Sequence, residues 1–251
     1  MTGIVSRTIA QLRALKMNSM AGAYELQLQQ PKLHEIGFDE RFALLVDQEA
    51  NERESRKLTR FVREAGFPDR ANLEDIEYRP ERGLEKQRIA SLANCEWVSK
   101  QLNVIILGST GVGKTWLACA FGTQACRLGF TVAFFRASDL YEQISTAILD
   151  GSLAKLRQNL HKPSLLIIDD FGLGQLTLQT AQVLLDVVDH RARKGSLLIT
   201  SQFPTTQWHD LLPDKTLADA ILDRIVHQSH CLTLKGESMR KVNGRKRLEA
   251  T

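Results

Sequence analysis

The segment GSTGVGKT at residues 108–115 has the spacing of a loop that holds phosphate groups. It follows the apolar run NVIIL and precedes a helical pattern, which is the strand–loop–helix context that such a loop requires. Glycines at 108, 111 and 113 permit the positive φ angles that turn successive N–H groups inward, toward an anion. We therefore predict a nucleotide phosphate site formed by these eight residues: Gly108, Ser109, Thr110, Gly111, Val112, Gly113, Lys114 and Thr115.

Lys114 and Thr115 supply the charge and the metal ligand of this loop. A lysine at this position reaches the β- and γ-phosphate oxygens, and the threonine hydroxyl binds Mg²⁺. The chain contains no NKxD sequence, so guanine specificity is not indicated. The expected ligands are therefore ATP and Mg²⁺.

Two adjacent carboxylates, Asp169 and Asp170, end the apolar run LLIIDD at residues 165–170. By itself, an Asp–Asp pair is an ordinary way to begin a turn. In a strand of the same sheet as the phosphate loop, however, Asp169 would bind Mg²⁺ directly or through water. Asp170 would then lie near the water that attacks the γ-phosphate, as a general base or a water-positioning group. We favour this catalytic interpretation, because a cation facing the two acids offsets their repulsion.

Gln202 and Arg224 are less specific candidates. Gln202 ends another apolar run and could contact the γ-phosphate or orient the attacking water, or it could belong to a hydrogen-bonded turn before Pro204. Arg224, on a helical pattern, could project into a neighbouring subunit's nucleotide as an arginine finger. The alternative for Arg224 is a surface ion pair with a nearby acid: Asp210, Asp219 or Asp223.

From about residue 100 onward, short β-rich runs alternate with helical patterns. The runs are 103–107, 131–135, 164–169, 196–201 and 230–234, and the helical patterns cover about 114–128, 138–160, 177–194 and 216–228. Apolar strands alternating with helices predict an α/β fold, a three-layer domain with a parallel sheet covered on both faces. One run lies between the phosphate loop and the acids, as in ATPases that carry an acidic catalytic residue beside the Mg²⁺ ligand.

Up to about residue 80 the chain has helical patterns only. One pattern over residues 12–30 is closed by Pro31, and a longer one runs from Asp39, a candidate N-cap, to Gly66. Glu49–Arg53 and Glu52–Arg56 are favourable i,i+4 pairs on the longer helix. We predict a small all-α domain over 1–80, for oligomer, partner or DNA contacts, and an ATPase domain over 81–251.

The composition is that of a soluble globular protein, with 43% hydrophobic and 25% charged residues in a chain of 251. No stretch approaches the roughly 20 apolar residues of a membrane helix, and the first residues lack an apolar signal core. The four cysteines form no CxxC pair, and we expect reduced core thiols in a cytoplasmic protein. These are Cys95, Cys119, Cys126 and Cys231.

The formal net charge of +4 resides entirely in residues 235–251, which carry six basic and two acidic side chains. A basic tail on a neutral body is typical of a protein that binds a polyanion. A solvated terminus without a partner is the alternative.

Five further segments, YRPERGL, LLIIDDFG, LLITSQFP, LADAILDRIVH and LKGESMR, accompany GSTGVGKT. Together they resemble the IstB-like ATP-binding proteins, the helper ATPases encoded beside the transposase in one class of insertion sequences. This family is related to the DnaC helicase loader and the DnaA initiator within the AAA+ ATPases. The likeness covers nearly the whole chain.

The resemblance implies a role for each matching residue. Lys114 and Thr115 would contact phosphate and Mg²⁺, Asp169 and Asp170 would form the acidic motif, and Arg224 would be the finger. Arg240 would be the second sensor. Gln202 stands where the family usually has asparagine as first sensor, and little or no C-terminal lid follows the last strand.

The resemblance further implies a bacterial, DNA-associated homo-oligomer with nucleotide at its subunit interfaces and no membrane attachment. It would assemble on duplex DNA, largely independently of sequence, and deliver that DNA as target to the cognate transposase. The basic residues that could contact DNA are Lys155, Arg157, Lys162, Arg245, Lys246 and Arg247. The alternatives are a DnaC-type helicase loader, which prefers single-stranded DNA, and a kinase acting on a small metabolite.

Overall fold

The computed structural model describes residues 3–30, 35–239 and 241, and the chain divides into a unit of residues 1–60 and a unit of residues 61–251. The first unit is helical, and the division falls within its last helix. Its helices are α1 (Gly3–Ala14), α2 (Asn18–Gln29) and most of α3 (Phe38–Ala65). The domain boundary expected at residue 80 and the role of the N-terminal domain remain predictions.

Two details of the N-terminal prediction are wrong. The helix expected over 12–30 is interrupted after Ala14, because Lys16 has a φ of 61°, in the left-handed region that a right-handed helix cannot include. Asp39 is not an N-cap, since α3 begins one residue earlier. Its carboxylate lies in the first turn, where it still complements the helix dipole.

Glu49 joins α3 to the start of α2 within the first unit. Its Oε2 accepts the backbone N–H groups of Ser19 and Met20, both at 3.1 Å. First-turn N–H groups have no partner inside their own helix, so this carboxylate takes the place of a cap. The hydrogen bond from Arg53 is the main cause of a pKa of Glu49 below its ordinary value of 4.5, and the bonds from Met20 and Ser19 add to it. Both predicted i,i+4 pairs form, each at 2.8 Å: Glu49–Arg53 and Glu52–Arg56.

The second unit contains a five-stranded parallel sheet flanked by helices, which confirms the predicted α/β fold. The strands lie in the order β2-β3-β4-β1-β5. They are β1 (Asn103–Leu107), β2 (Val132–Arg136), β3 (Leu165–Asp169), β4 (Ser196–Ser201) and β5 (Ser229–Thr233). The helices are α4 (Lys86–Ala93), α5 (Glu96–Ser99), α6 (Lys114–Arg127), α7 (Ala137–Asp150), α8 (Leu153–His161), α9 (Leu178–Lys194) and α10 (Lys215–Val226).

Strand order determines which chain segments meet at the carboxyl edge of the sheet. Because β4 lies between β1 and β3, its end separates the phosphate loop from the two acids. Thr200 pairs with Ile106 of β1, and Ile199 pairs with Ile168 of β3. Asp169 and Thr200, the next residue on each strand, are therefore neighbours.

The helix predicted over 138–160 is two helices. Gly151, between α7 and α8, has a φ of 77°, which ends the first helix in a left-handed turn. Asp150 accepts the N–H of Ser152 at 2.8 Å and so stabilises this turn. The dipeptide Asp-Gly is a turn signal in its own right, and it explains the interruption.

All four cysteines are free thiols, and three are buried as expected, whereas Cys231 is half-buried. Burial raises the pKa of Cys95 to about 11 and those of Cys119 and Cys126 to about 12, so these thiols are unreactive near neutral pH. Within the described ranges, every helix is too short or too polar to traverse a lipid bilayer.

Candidate nucleotide site

The phosphate loop makes its predicted sharp turn between β1 and α6. Gly108 has a φ of 155°, and a Cβ atom there would lie 2.6 Å from the carbonyl oxygen of Leu234. Since that neighbour is backbone, only glycine fits without moving the chain. Gly113, with a φ of 99°, immediately precedes α6, so the first N–H groups of the helix face the loop. N–H groups at a helix N-terminus suit an anion, and the anion site at residues 108–115 remains a prediction.

A cavity of about 480 Å³ lies beside the loop, and Lys114 forms part of its wall. Only 5% of Lys114 is exposed, and its Nζ donates to the carbonyl oxygen of Ser109 at 3.2 Å. The ammonium group is therefore held against the loop, where phosphate would bind. Thr115 and Asp170 also contact this cavity.

Asp169 is buried behind Thr115. The Thr115 hydroxyl lies 3.0 and 2.9 Å from the two carboxylate oxygens of Asp169, to which it donates. Thr200 Oγ1 donates to Asp169 Oδ1 at 2.6 Å. Burial raises the pKa of Asp169, whereas these hydrogen bonds oppose the increase. Hydroxyl and carboxylate oxygens are ligands that Mg²⁺ prefers, so Thr115 and Asp169 fit such an ion, and its charge would offset the burial of the carboxylate.

Asp170 differs from Asp169 in its surroundings, since it lines the cavity rather than being buried. Its φ of 56° lies in the left-handed region, and its N–H donates to Thr200 Oγ1 at 2.9 Å. The next residue, Phe171, is buried against Trp208, with ring centroids 4.7 Å apart. The two neighbouring acids therefore lie in different environments, and their roles as metal ligand and base remain predictions.

Gln202 lies against the phosphate loop, because Thr110 Oγ1 donates to its Oε1 at 2.8 Å. The amide nitrogen of Gln202 is the group that can donate to an anion. The contact brings the side chain to the loop, and a role as first sensor remains a prediction.

Arg82 is a second cation at this cavity, and the sequence reasoning assigned it no role. Its guanidinium donates to the carbonyl oxygens of Val112 and Glu77, each at 3.2 Å. Burial lowers the pKa of Arg82 from its ordinary value of 12.5. Its segment, YRPERGL, contributed to the family resemblance, but no sequence spacing relates residue 82 to a loop about thirty residues away.

The segment 234–239 also reaches the phosphate loop. Met239 N–H donates to the carbonyl oxygen of Gly111 at 2.8 Å, and Lys235 N–H donates to that of Arg82 at 2.9 Å. Residue 82 and the segment 234–239, both distant from the loop in sequence, therefore donate hydrogen bonds to its backbone carbonyl oxygens. Arg240, predicted as second sensor, lies outside the described residues.

Arg224 lies away from the phosphate loop of its own chain. Its carbonyl oxygen accepts from Asn103 Nδ2 at 3.3 Å, and Asn103 begins β1, whereas the loop follows the end of that strand. Arg224 forms a partly exposed ion pair, as the alternative interpretation held, but its partner is none of the three acids named there: its Nε lies 2.7 Å from Asp189 Oδ1 on α9. The three acids lie near histidines instead: Asp210 and Asp219 near His209, and Asp223 near His227.

The residues predicted to contact DNA differ in their surroundings. Lys155 and Lys162 are exposed on or just after α8. Arg157 Nε lies 3.1 Å from Asp186 Oδ2, so its charge is partly compensated. The remaining candidates lie outside the described residues: Arg245, Lys246 and Arg247. DNA contact by any of the six remains a prediction.

Sequence comparison relates the chain to proteins of insertion sequences. A family model described as IstB-like ATP binding protein matches residues 10–247. An insertion sequence ATP-binding protein of Sinorhizobium fredii is 37% identical over 239 residues, which are 95% of this chain and 98% of that protein. The ATP-binding protein of insertion sequence IS1162 from Pseudomonas fluorescens is 40% identical over 204 residues, covering 81% and 88% of the two chains.

Structural comparison identifies the fold. The crystal structure of the DnaC helicase loader matches with a TM-score of 0.54, covering 66% of this chain and 97% of that chain at 21% sequence identity. At this identity the likeness concerns the fold, and it agrees with the AAA+ architecture that the resemblance implied.

Proposed function

The chain belongs to the family of IstB-like ATP-binding proteins, and on this basis we propose that it is a Mg²⁺-dependent ATPase that captures duplex DNA for a transposase. One observation carries the catalytic part of the proposal. A hydroxyl and a buried carboxylate, Thr115 and Asp169, meet beside a cavity that also presents Lys114 and Asp170. The set contains a phosphate-binding cation, a pair of Mg²⁺ ligands and a base.

Hydrolysis follows from the positions of these groups. The loop amides and Lys114 bind the β- and γ-phosphates of ATP, and Thr115 and Asp169 would hold Mg²⁺, which neutralises phosphate charge when bound. Asp170 accepts a proton from water as the water oxygen bonds to the γ-phosphorus. The bond between that phosphorus and the oxygen retained by ADP then breaks, giving ADP and phosphate.

The subunit interface supplies the remaining cation. Arg224 is placed at the opposite end of β1 from the phosphate loop of its own chain. In a homo-oligomer it would contact the nucleotide of a neighbour, where it stabilises the negative charge of the transition state. Nucleotide therefore controls assembly, because each site is complete only when two subunits meet.

DNA binding is proposed to use exposed basic groups that contact phosphates without reading bases. Lys155 and Lys162 and the basic tail are the candidates, and the N-terminal helical unit would contribute oligomer, partner or DNA contacts. Such binding weakens steeply with salt. The transposase is the proposed partner because the relatives carry the name of insertion sequences.

A DnaC-type helicase loader is the second candidate, since the DnaC loader shares the fold of this chain. A loader would prefer single-stranded DNA. Proteins that bind single strands commonly have aromatic side chains on which the bases stack. Aromatic residues make up only 6% of this chain, so the sequence provides few such platforms.

Phosphate release by wild-type protein and the Asp170→Asn variant tests the proposed activity. We expect the variant to retain ATP affinity and to lose about 10²-fold or more in turnover, because the base can no longer accept a proton. Asp210→Asn, the same chemical change on an exposed side chain of the 3-10 helix Thr205–Leu211, should leave turnover unchanged. Wild-type turnover in Asp170→Asn would remove that residue from its proposed role.

A further inference from the structure

The Thr200 hydroxyl lies between the two acids of the site. Thr200 is fully buried, its Oγ1 donates to Asp169 Oδ1 at 2.6 Å, and the same oxygen accepts the N–H of Asp170 at 2.9 Å. One hydroxyl thus contacts the side chain of the predicted metal ligand and the backbone of the predicted base.

The backbone of Thr200 forms a hydrogen bond to a third residue. Its carbonyl oxygen accepts the N–H of Phe171 at 2.8 Å, so residues 169–171 are all bonded to Thr200. Asp170 occupies the left-handed region, which residues other than glycine adopt rarely and which needs support from neighbouring contacts. The bond to Thr200 is one such contact, and Asp170 lines the cavity.

We propose that Thr200 is a positioning residue for ATP hydrolysis, orienting the Asp169 carboxylate toward Thr115 and fixing the backbone that presents Asp170 to the cavity. The inference depends on the proposed ATPase function. Thr200 acts through the two acids, since it is buried and its hydroxyl is engaged with both. Only a hydroxyl can donate to a carboxylate and accept an N–H with the same atom in this space, so serine can replace threonine and valine cannot.

The adjacent residue, Ser201, provides a matched control. Ser201 is also fully buried, donates to the carbonyl oxygen of Phe171 at 2.7 Å and accepts the N–H of Phe203 at 3.1 Å. It makes the same kinds of hydrogen bond on the same strand, but to the backbone of the turn rather than to the acids. Loss of this hydroxyl should lower stability without displacing Asp169 or Asp170.

The experiment compares Thr200→Val, Thr200→Ser and Ser201→Ala in the full chain. Three quantities are measured: single-turnover hydrolysis of ATP, affinity for a non-hydrolysable ATP analogue, and the thermal unfolding midpoint. We expect Thr200→Val to hydrolyse ATP more slowly by a factor on the order of 10², the cost of a misplaced catalytic group, with analogue affinity within about threefold of wild type. Thr200→Ser should recover most of the rate, and Ser201→Ala should keep it despite a lower unfolding midpoint.

The outcomes separate this inference from the proposed function. Wild-type hydrolysis by Thr200→Val, or an equal loss of rate in Ser201→Ala, would show that Thr200 has only a structural role. If Thr200→Val does not fold, Thr200→Ala takes its place under the same criteria. If the ATPase proposal itself is wrong, wild type and Asp170→Asn release phosphate equally, which is a different result from any outcome for Thr200.

Discussion

Arg224 on α10 and Asp189 on α9 form an ion pair, with Nε and Oδ1 2.7 Å apart. The pair is partly exposed, with 35% and 41% of the two side chains accessible. The guanidinium hydrogen bond is the main cause of a pKa of Asp189 below its ordinary value. If Arg224 acts on a neighbouring nucleotide, this pair must open during assembly, so the contact opposes assembly in the free subunit.

Mixing two inactive variants tests whether Arg224 acts between subunits. Lys114→Ala removes the phosphate-binding cation and keeps the proposed arginine finger. Arg224→Ala removes the finger and keeps the phosphate-binding cation. Each alone should lose at least about 10³-fold in turnover, and a mixture should regain part of the activity, because some interfaces then join an intact site to an intact finger. Phosphate release measured across mixing ratios detects this recovery.

Arg193→Ala is the control for that experiment. Arg193 lies 3.8 Å from the same Asp189 carboxylate but is 78% exposed, so its removal should leave turnover unchanged. Full activity in Arg224→Ala alone, or no recovery in any mixture, would contradict action between subunits.

Arg82→Gln should weaken ATP binding about tenfold, which corresponds to about 1.4 kcal/mol. The substitution removes a positive charge from the cavity wall. It also removes the guanidinium hydrogen bonds to the carbonyl oxygens of Val112 and Glu77. Arg82→Lys should not restore affinity, since an ammonium lacks the planar fork of donors. Titration with a fluorescent ATP analogue measures the change.

Arg79→Gln is the matched control, because Arg79 lies three residues away and pairs with the side chain of Glu77 at 2.6 Å. Its affinity should equal that of wild type. Equal affinities for Arg82→Gln and Arg79→Gln would mean that Arg82 does not contribute to nucleotide binding.

Glu49→Gln should loosen the first turn of α2 at neutral pH. The folded state lowers the pKa of Glu49, so its contribution to stability is complete above the ordinary value of 4.5 and is lost as pH falls through the lower folded value. Hydrogen exchange of the Ser19 and Met20 amides should therefore be faster in the variant at pH 7, and the difference from wild type should shrink as the pH falls below 4.5. Glu52→Gln, which removes an exposed pair with Arg56, should leave these amides protected. Unchanged protection in Glu49→Gln at pH 7 would show that the carboxylate is not the cap.

The parts of the fold that depend on local pattern were predictable from the sequence. The strands expected at 103–107 and 196–201 have those bounds in the structure, because apolar runs flanked by helical patterns define them. The interruption at Lys16 depends on a single residue with positive φ inside a continuous helical pattern, so the sequence did not indicate it. At Gly151 the Asp-Gly turn signal was present, but the helical pattern on both sides of it favoured one continuous helix.

The same distinction applies to the site. GSTGVGKT and the acidic pair are contiguous motifs, so the sequence pointed to Lys114, Thr115, Asp169 and Asp170. The contacts of Thr200, Arg82 and Asp189 join segments that are distant in the chain. Such contacts depend on strand order and on helix packing, which residue spacing does not encode.

Fluorescence anisotropy of matched duplex and single-stranded DNA tests the central claim most directly, measured without nucleotide, with ADP and with a non-hydrolysable ATP analogue. We predict tight, salt-sensitive binding of the duplex only with the ATP analogue, and its loss in Lys114→Ala, which cannot hold the nucleotide. Preference for the single strand would favour the helicase loader. Duplex binding that is independent of nucleotide and intact in Lys114→Ala, or no binding to either DNA, would contradict an ATP-controlled DNA-capture protein.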